Sequence, residues 1–346
     1  MRFIARFLGF LFATGAIVFV LGALAVGGLV YVYSKDLPDY TQLKNYEPPV
    51  MTRVHAGDGS ILAEYAHERR LYLPSSAIPN LVKQAFISAE DKNFYTHHGI
   101  DPEGVVRAAM VLAQGSKHMQ GASTITQQVA KNFLLTNERS FDRKIKEALL
   151  SMRIEQAYSK ERILELYLNE IYLGLGNYGI AAAALNYFDK SVHELSLAET
   201  AYLAGLPKGP NNYNPFRNRE AAIARRNYVI ERMVENGYVS RADGDAAKAE
   251  PLTVNPRALS PNSIAAGYFA EEVRRELNDR YGDKKLYEGG LSVRASLDPK
   301  MQLMARKALA DGLVRFDEAH GFRGPVKQID IAGDWGQALG QVPVLG

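Results

Sequence analysis

The feature that most constrains this chain is a run of 28 residues without a charged side chain, from Phe7 to Ser34. An α-helix of that length reaches about 42 Å, whereas the hydrocarbon core of a bilayer is roughly 30 Å thick. The run is long for the apolar core of a signal peptide, and no clear small-x-small cleavage site lies before Lys35. Arg2 and Arg6 precede it, and this positive charge predicts a cytoplasmic N-terminus. The sequence therefore predicts a cytoplasmic tail at 1–6 and a transmembrane anchor at 7–34, rather than a buried helix of a soluble protein.

The composition excludes several classes of function. The sequence contains no cysteine, which rules out a disulfide framework, a cysteine-zinc site and a cysteine nucleophile. The formal net charge is only +3, too balanced for a general nucleic-acid coat, so we expect no nucleic-acid partner. With 47% hydrophobic and 23% charged residues, the chain is not disordered or low in complexity. Its length of 346 residues suits roughly two domains.

Three regions of different pattern follow the anchor. Residues 35–75 contain helix-breaking prolines and predict an extended connection, with a small hairpin around Gly57-Asp58-Gly59. Residues 76–240 have dense helical patterns, and capping signals predict helix starts after Asp101, Ser140 and Ser159. Residues 241–346 predict a linker, rich in Pro, Ala and Asp up to about 262, and then the incomplete start of a second α+β region.

Glu90 is the first candidate for acid–base chemistry. The stripe of Leu81, Ala85 and Ala89 predicts a helix that ends at Glu90. The negative end of the helix dipole and the like charge of Asp91 both disfavour ionisation there, and both raise the pKa of the Glu90 carboxyl. The alternative is an ordinary solvated helix end. The histidines in the following Thr-His-His-Gly are expected to cap or pack rather than to bind a metal.

A second candidate surface lies on a helix predicted from Thr124. Ser123, Gln127 and Lys131 recur every four residues on one face, opposite an apolar face. A hydroxyl, an amide and an ammonium group in a row suit sugar hydroxyls and a phosphate. An ordinary amphipathic helix is the alternative.

Positive charge is concentrated around a second carboxylate, Glu147. Eight basic and five acidic residues lie between positions 131 and 162. Arg143 and Lys144 precede Glu147 by four and three residues, the spacing of helical ion pairs. A solvated charged face is the alternative for most of these residues. Residues 102–114, by contrast, are mostly apolar and predict either a core helix or a surface that enters the membrane interface.

Four motifs, in this order and spacing, resemble those of the family 51 glycosyltransferases. That family comprises the peptidoglycan polymerase domains of class A penicillin-binding proteins and the monofunctional transglycosylases. The motifs are EDKNFYTHHG, GASTITQQVAKN, RKIKEALLSMRIE and KERILELYLNEIYLG, and a fifth is RRNYVIERM, which starts at Arg225. The resemblance extends from the anchor to about residue 240. The later segment LSVRASLDPKMQ resembles the linker and accessory region of bifunctional members.

The resemblance implies a mainly α-helical, lysozyme-like glycosyltransferase domain on the periplasmic side of the bacterial inner membrane. Such a domain polymerises lipid II into β-1,4-linked glycan strands, with inversion and release of undecaprenyl pyrophosphate. Glu90 is then implied as the general base for the acceptor hydroxyl, and Glu147 as the second carboxylate, on the donor side. Contacts to the sugars and the pyrophosphate are implied for Phe94, Arg107, Ser123, Gln127, Lys131, Arg139, Arg143, Lys144 and Lys146.

The resemblance also implies partners and admits a cofactor. The partners are lipid II, the growing lipid-linked glycan, the membrane and other cell-wall synthesis proteins. A divalent cation, Mg or Mn, fits chemically beside a pyrophosphate, although no ligand cluster in the sequence requires one. No Ser is followed three residues later by Lys, and no Lys-Ser/Thr-Gly occurs, so we expect the transpeptidase part to be absent.

Two other functions compete with polymerisation. The first is a lysozyme-like enzyme that cleaves glycan, which needs an acid to protonate a sugar leaving group. A pyrophosphate leaving group needs only preorganised cations, so the basic cluster and the anchor favour polymerisation. The second is a non-enzymatic cell-wall scaffold, against which the set of Glu90, Lys131 and Glu147 argues.

Overall fold

The computed structural model describes residues 2–44, 46, 50–66, 69–113, 123–135, 140–255, 261–320, 325 and 327–342. The helices are α1 (Arg2–Ser34), α2 (Asn80–Glu90), α3 (Pro102–Ala113), α4 (Ile125–Leu134), α5 (Phe141–Ala157), α6 (Lys160–Glu170), α7 (Ile180–Phe188), α8 (Leu197–Gly205), α9 (Arg219–Glu235), α10 (Arg241–Ala249), α11 (Pro261–Ala265), α12 (Gly267–Tyr281), α13 (Asp283–Glu288), α14 (Pro299–Ala319) and α15 (Trp335–Gly340). The strands are β1 (Thr52–His55), β2 (Ile61–Tyr65), β3 (Arg69–Arg70), β4 (Asn177–Tyr178) and β5 (Ser292–Arg294). Short 3₁₀ helices lie at Tyr40–Leu43, Ser75–Ala77 and Leu206–Lys208. The fold is mainly α, as predicted.

The chain divides into two units. The first comprises Met1–Arg53, Glu64–Ala258 and Glu276–Ser292, and the second comprises Val54–Ala63, Leu259–Arg275 and Val293–Gly346. The strands β1, β2 and β5 form one sheet in the order β2-β1-β5, and β3 pairs in parallel with β4. The predicted hairpin is confirmed, because β1 and β2 are joined by a turn in which the N–H of Ala56 donates to the carbonyl of Ser60.

The hydrophobic core of the first unit is built on α6. Ile163, Leu164, Leu166, Tyr167 and Leu168 are all buried, so this helix is apolar on nearly every side. Helix α4 packs against α5 and α6, while α8 packs against α2 and α9. This packing brings the C-terminus of α2, the N-terminal part of α4 and the first half of α9 together around the polar groups described below.

Local capping fixes the helix starts. The hydroxyls of Ser140 and Ser159 accept hydrogen bonds from backbone N–H groups three residues later, as predicted for N-caps. One segment differs from the prediction: residues 241–249, expected within a linker, form α10, capped by Ser240. In the expected α+β region, the alternating segment 291–297 contributes only the three-residue strand β5.

Helix α3 has an exposed apolar face. Among its described side chains, Val105, Val106 and Met110 are exposed, so the face of α3 that carries them is not packed in the core. The residues after Ala113 in that predicted segment lie outside the described part of the chain. An exposed row of large apolar side chains is typical of an interaction surface.

Candidate active site

Glu90 is the last residue of α2, and groups on two other helices surround its carboxylate. Its side chain is only 13% exposed. Oε2 accepts a hydrogen bond of 2.9 Å from Nε2 of Gln128 on α4. On α9, Nη2 of Arg225 lies 3.6 Å from Oε1. The group is therefore a mostly buried carboxylate with one neutral and one cationic neighbour, and not a solvated helix end.

The pKa of the Glu90 carboxyl is raised above its ordinary value. Burial is the main cause because it penalises the charged form, and the nearby charge of Asp91 acts in the same direction. The hydrogen bond from Gln128 and the charges of Arg225 and Lys208 oppose the shift. The predicted direction is confirmed, although burial contributes more than the neighbouring like charge. A carboxyl with a raised pKa is suited to proton transfer near neutral pH.

Asp91 and His97 form a buried pair that fixes the end of α2. The N–H of Gly99 donates to Nδ1 of His97 at 3.1 Å, so Nε2 carries the ring proton. Nε2 lies 2.9 Å from Oδ2 of Asp91, which also accepts a 2.9 Å hydrogen bond from the N–H of Ile125. The pair thus joins α2 to the first turn of α4. His97 has the packing role that the sequence predicted, and His98 is exposed.

Helix α4 begins where the sequence predicted, at a capping box. The hydroxyl of Thr124 accepts from the N–H of Gln127, and the Gln127 side chain accepts from the N–H of Thr124. Gln127 is therefore buried and caps the helix, a role that the prediction of a substrate contact did not include. Ser123 and Lys131 are half-buried.

Glu147 on α5 sits inside a cationic cluster. Its side chain is 3% exposed, and its two oxygens accept hydrogen bonds from Arg143 and from Lys144, the latter at 2.7 Å. Nζ of Lys144 also donates to the hydroxyl of Ser123 at 2.7 Å. Among the described residues, Nε of Arg143 is buried without a hydrogen-bond partner. The predicted helical pairs therefore form, but around a buried carboxylate and not on a solvated face.

The remaining predicted residues differ in their exposure to solvent. Phe94 is fully buried, its ring covered by His97 and by the ammonium group of Lys160 at 4.6 Å. This corrects the prediction of a sugar contact, because the Phe94 ring has no exposed surface. Arg107 is exposed on α3, and Lys146 is half-buried on α5. Arg139 lies outside the described residues.

The short segment 123–128 connects both carboxylates. Gln128 binds Glu90, while Ser123 binds the Lys144 that holds Glu147. The sequence prediction does not include Gln128, because the polar face predicted for α4 contains its neighbour Gln127 instead. Sequence reasoning assigns no role to Arg225, although its place in the fifth motif is the signal that could identify it.

The described residues include no group of three or more His, Asp or Glu side chains that could hold a metal ion. At Glu147, Arg143 and Lys144 already engage both carboxylate oxygens. A divalent cation at that carboxylate would meet two positive charges, so these residues do not fit a metal held by the protein.

Comparisons with known proteins show the family of this chain. The transglycosylase family model matches residues 58–234. The chain is 48% identical over 332 residues to penicillin-binding protein 1A of Rickettsia typhi, covering 95% of this chain and 42% of that protein. It is 41% identical over 315 residues to penicillin-binding protein 1A of Escherichia coli, covering 91% of this chain and 37% of that protein. The chain thus spans about two fifths of the length of these relatives.

A solved structure is similar as well. The crystal structure of penicillin-binding protein 1A from Haemophilus influenzae aligns with a TM-score of 0.50 and 28% sequence identity. The alignment covers 85% of this chain and 34% of that one.

Proposed function

Because the chain belongs to the transglycosylase family, we propose that it is a peptidoglycan glycosyltransferase that polymerises lipid II. The product is a β-1,4-linked glycan strand, formed with inversion and with release of undecaprenyl pyrophosphate. One observation carries the proposal: two buried carboxylates lie in contrasting surroundings, one with a raised pKa and one enclosed by cations. The same short segment 123–128 contacts both sites, directly at Glu90 through Gln128 and indirectly at Glu147 through the bond of Ser123 to Lys144.

On the acceptor side, Glu90 is the general base. Its Oε2 is engaged by Gln128, which leaves Oε1 to accept the proton of the sugar 4-hydroxyl. The oxygen so activated attacks the anomeric carbon of the lipid-linked donor chain from the face opposite the leaving group. A positioned base of this kind contributes about 10²–10⁴-fold to a rate.

On the donor side, the bond from the anomeric carbon to the phosphate oxygen breaks, and its electron pair leaves with the pyrophosphate. Preorganised cations stabilise that developing charge without a protonating acid. Arg143, Lys144 and Lys146 on α5 are the candidates, with Lys131 on α4 and Arg139. Glu147 holds two of these cations in place, and since both its oxygens are engaged it transfers no proton. No step requires a metal ion.

The substrate is a lipid, and the chain has two features that suit a membrane. Among the described helices, α1 contains a stretch, Phe12–Ser34, that is long and apolar enough to cross a bilayer. The hydroxyl of Tyr33, at its end, donates to Asp142 in the first turn of α5. This contact ties the cationic helix to the anchor. The exposed apolar side chains of α3 would lie in the membrane interface, with the N-terminus cytoplasmic and the catalytic domain periplasmic.

The product assay that tests the proposal uses the full 346-residue chain in detergent. Fluorescent lipid II is incubated with the protein, and the products are separated by size; we expect a ladder of lengthening glycan and released undecaprenyl pyrophosphate. A parallel reaction supplies isolated sacculi. Shortened glycan from sacculi, without growth from lipid II, would establish the glycan-cleaving alternative, and inertness toward both would establish the scaffold.

A further inference from the structure

Arg225 is a buried arginine next to Glu90, and its position is tightly determined. It is 8% exposed, and its Nε donates to the carbonyl of Gly205 at 3.0 Å. Its guanidinium carbon lies 4.9 Å from the ring centre of Tyr228 and 5.9 Å from that of Tyr213. A Cβ added at Gly205 would lie 2.9 Å from Cγ of Arg225, so a larger residue there would displace the arginine stem. Three separate contacts therefore fix where this positive charge lies.

The charge is directed at one oxygen of Glu90. Nη2 of Arg225 is 3.6 Å from Oε1, which is within ion-pair range but too long for a hydrogen bond. Oε2, in contrast, receives the 2.9 Å hydrogen bond from Gln128. The two neighbours thus differentiate the oxygens: Oε2 is anchored, and Oε1 keeps its capacity to accept a proton while a cation faces it.

The other groups around Glu90 do not duplicate this role. Asp91, on the same chain turn, opposes ionisation, and the hydroxyl of Tyr167 on α6 stays uncharged because burial raises its pKa well above its ordinary value. Lys208, after α8, favours ionisation but is itself exposed and therefore more strongly screened. Gln128 on α4 is neutral. Arg225 is the buried cation among the groups that face this carboxylate.

We propose that Arg225 is a positioning residue of the reaction: it holds Oε1 of Glu90 as the proton-accepting oxygen and keeps that carboxylate charged. The inference rests on the proposed role of Glu90 as the base. A base must be ionised before it can accept a proton, and burial alone would leave it protonated over more of the pH range. The arginine resolves this conflict without forming the hydrogen bond that would occupy Oε1.

The test is the dependence of kcat on pH for lipid II polymerisation by wild type, Arg225→Gln and Arg225→Lys. Loss of an opposite charge at this distance raises a carboxyl pKa by about 1–3 units. The acid limb of the Arg225→Gln profile should therefore move upward by at least about one pH unit, so that kcat on the acid side of the limb falls by roughly tenfold. Activity should return toward the wild-type value at high pH. Arg225→Lys keeps the positive charge, so its acid limb should lie close to that of the wild type.

Two matched variants separate this role from a structural one. Arg232→Gln removes a cation from the same helix, one that also lies 5.3 Å from the Tyr228 ring but pairs with Glu235, and should leave the limb in place. Tyr228→Leu removes one ring that holds the guanidinium and should move the limb in the same direction by less. A loss of kcat that is equal at every pH in Arg225→Gln, or a limb that does not move, would overturn the proposal.

A direct titration distinguishes this inference from the proposed function. The ¹³C-labelled carboxyl of Glu90, assigned by its disappearance in Glu90→Gln, is followed by NMR in detergent. A higher pKa in Arg225→Gln supports the inference even if the chain does not polymerise lipid II, in which case only the proposed function has failed. An unchanged pKa overturns the inference even if polymerisation is robust.

Discussion

Removal of the Lys144 side chain is expected to reduce stabilisation of the transition state more than it reduces binding of the donor. Nζ of Lys144 donates to both Glu147 and Ser123 at 2.7 Å, and the side chain is 48% exposed. A charge-assisted contact to a phosphate is worth about 1.5–3 kcal/mol, and the partial exposure favours the lower end. Lys144→Ala should therefore lower kcat by roughly tenfold, with KM changed by less. Steady-state kinetics with defined lipid II measures both.

The matched control is Arg153→Ala, which removes a cation from the same helix without touching the Glu147 cluster. Lys144→Arg should retain partial activity, since it keeps the charge but replaces a point donor with a planar fork. A Lys144→Ala enzyme with kcat within about twofold of wild type would show that this lysine does not contribute to the donor site.

Three further predictions concern stability and the membrane. Because the pKa of Glu90 is raised in the folded protein, the stability it contributes is present below the ordinary glutamate pKa and is lost as pH rises through the raised pKa. Glu90→Gln should therefore have a higher melting temperature than wild type at pH 8 but not at pH 4. A lower melting temperature at pH 8 would contradict this sign. His97→Ala leaves buried Asp91 without its ring donor and should lower the free energy of unfolding by about 1.5–3 kcal/mol in chemical denaturation, whereas exposed His98→Ala should change it by less than about 0.5. A chain lacking residues 1–34 should still sediment with liposomes through α3, and Met110→Asp should weaken that association; a truncated chain that stays in the supernatant would exclude an interfacial α3.

The parts of the fold that depend on neighbours in sequence could be predicted. N-caps such as Ser140 and Ser159 act within one helical turn, and so do the pairs of Glu147 with Arg143 and Lys144. The direction of the Glu90 pKa shift was also predicted, from the helix end and the neighbouring acid, although its main cause is burial, which depends on tertiary packing.

What could not be predicted depends on tertiary packing. Phe94 lies in a motif rich in polar groups, in the turn after α2, yet its ring is covered by Lys160 from α6. Arg225 and Gln128 contact Glu90 only in the folded chain, and they are too far from it in sequence for a helical spacing to predict these contacts. Helix α10 was assigned to a linker because its alanine and aspartate content masked an N-cap at Ser240.

The most direct test of the account is the rate of lipid II polymerisation by Glu90→Gln, measured with wild type at a pH where wild type is fully active. The substitution keeps the size of the side chain and leaves an oxygen to accept the hydrogen bond from Gln128, but it removes the base. We predict a kcat lower by about 10²–10⁴-fold in a protein that remains folded by circular dichroism. A folded Glu90→Gln chain that polymerises lipid II within about threefold of the wild-type rate would contradict it.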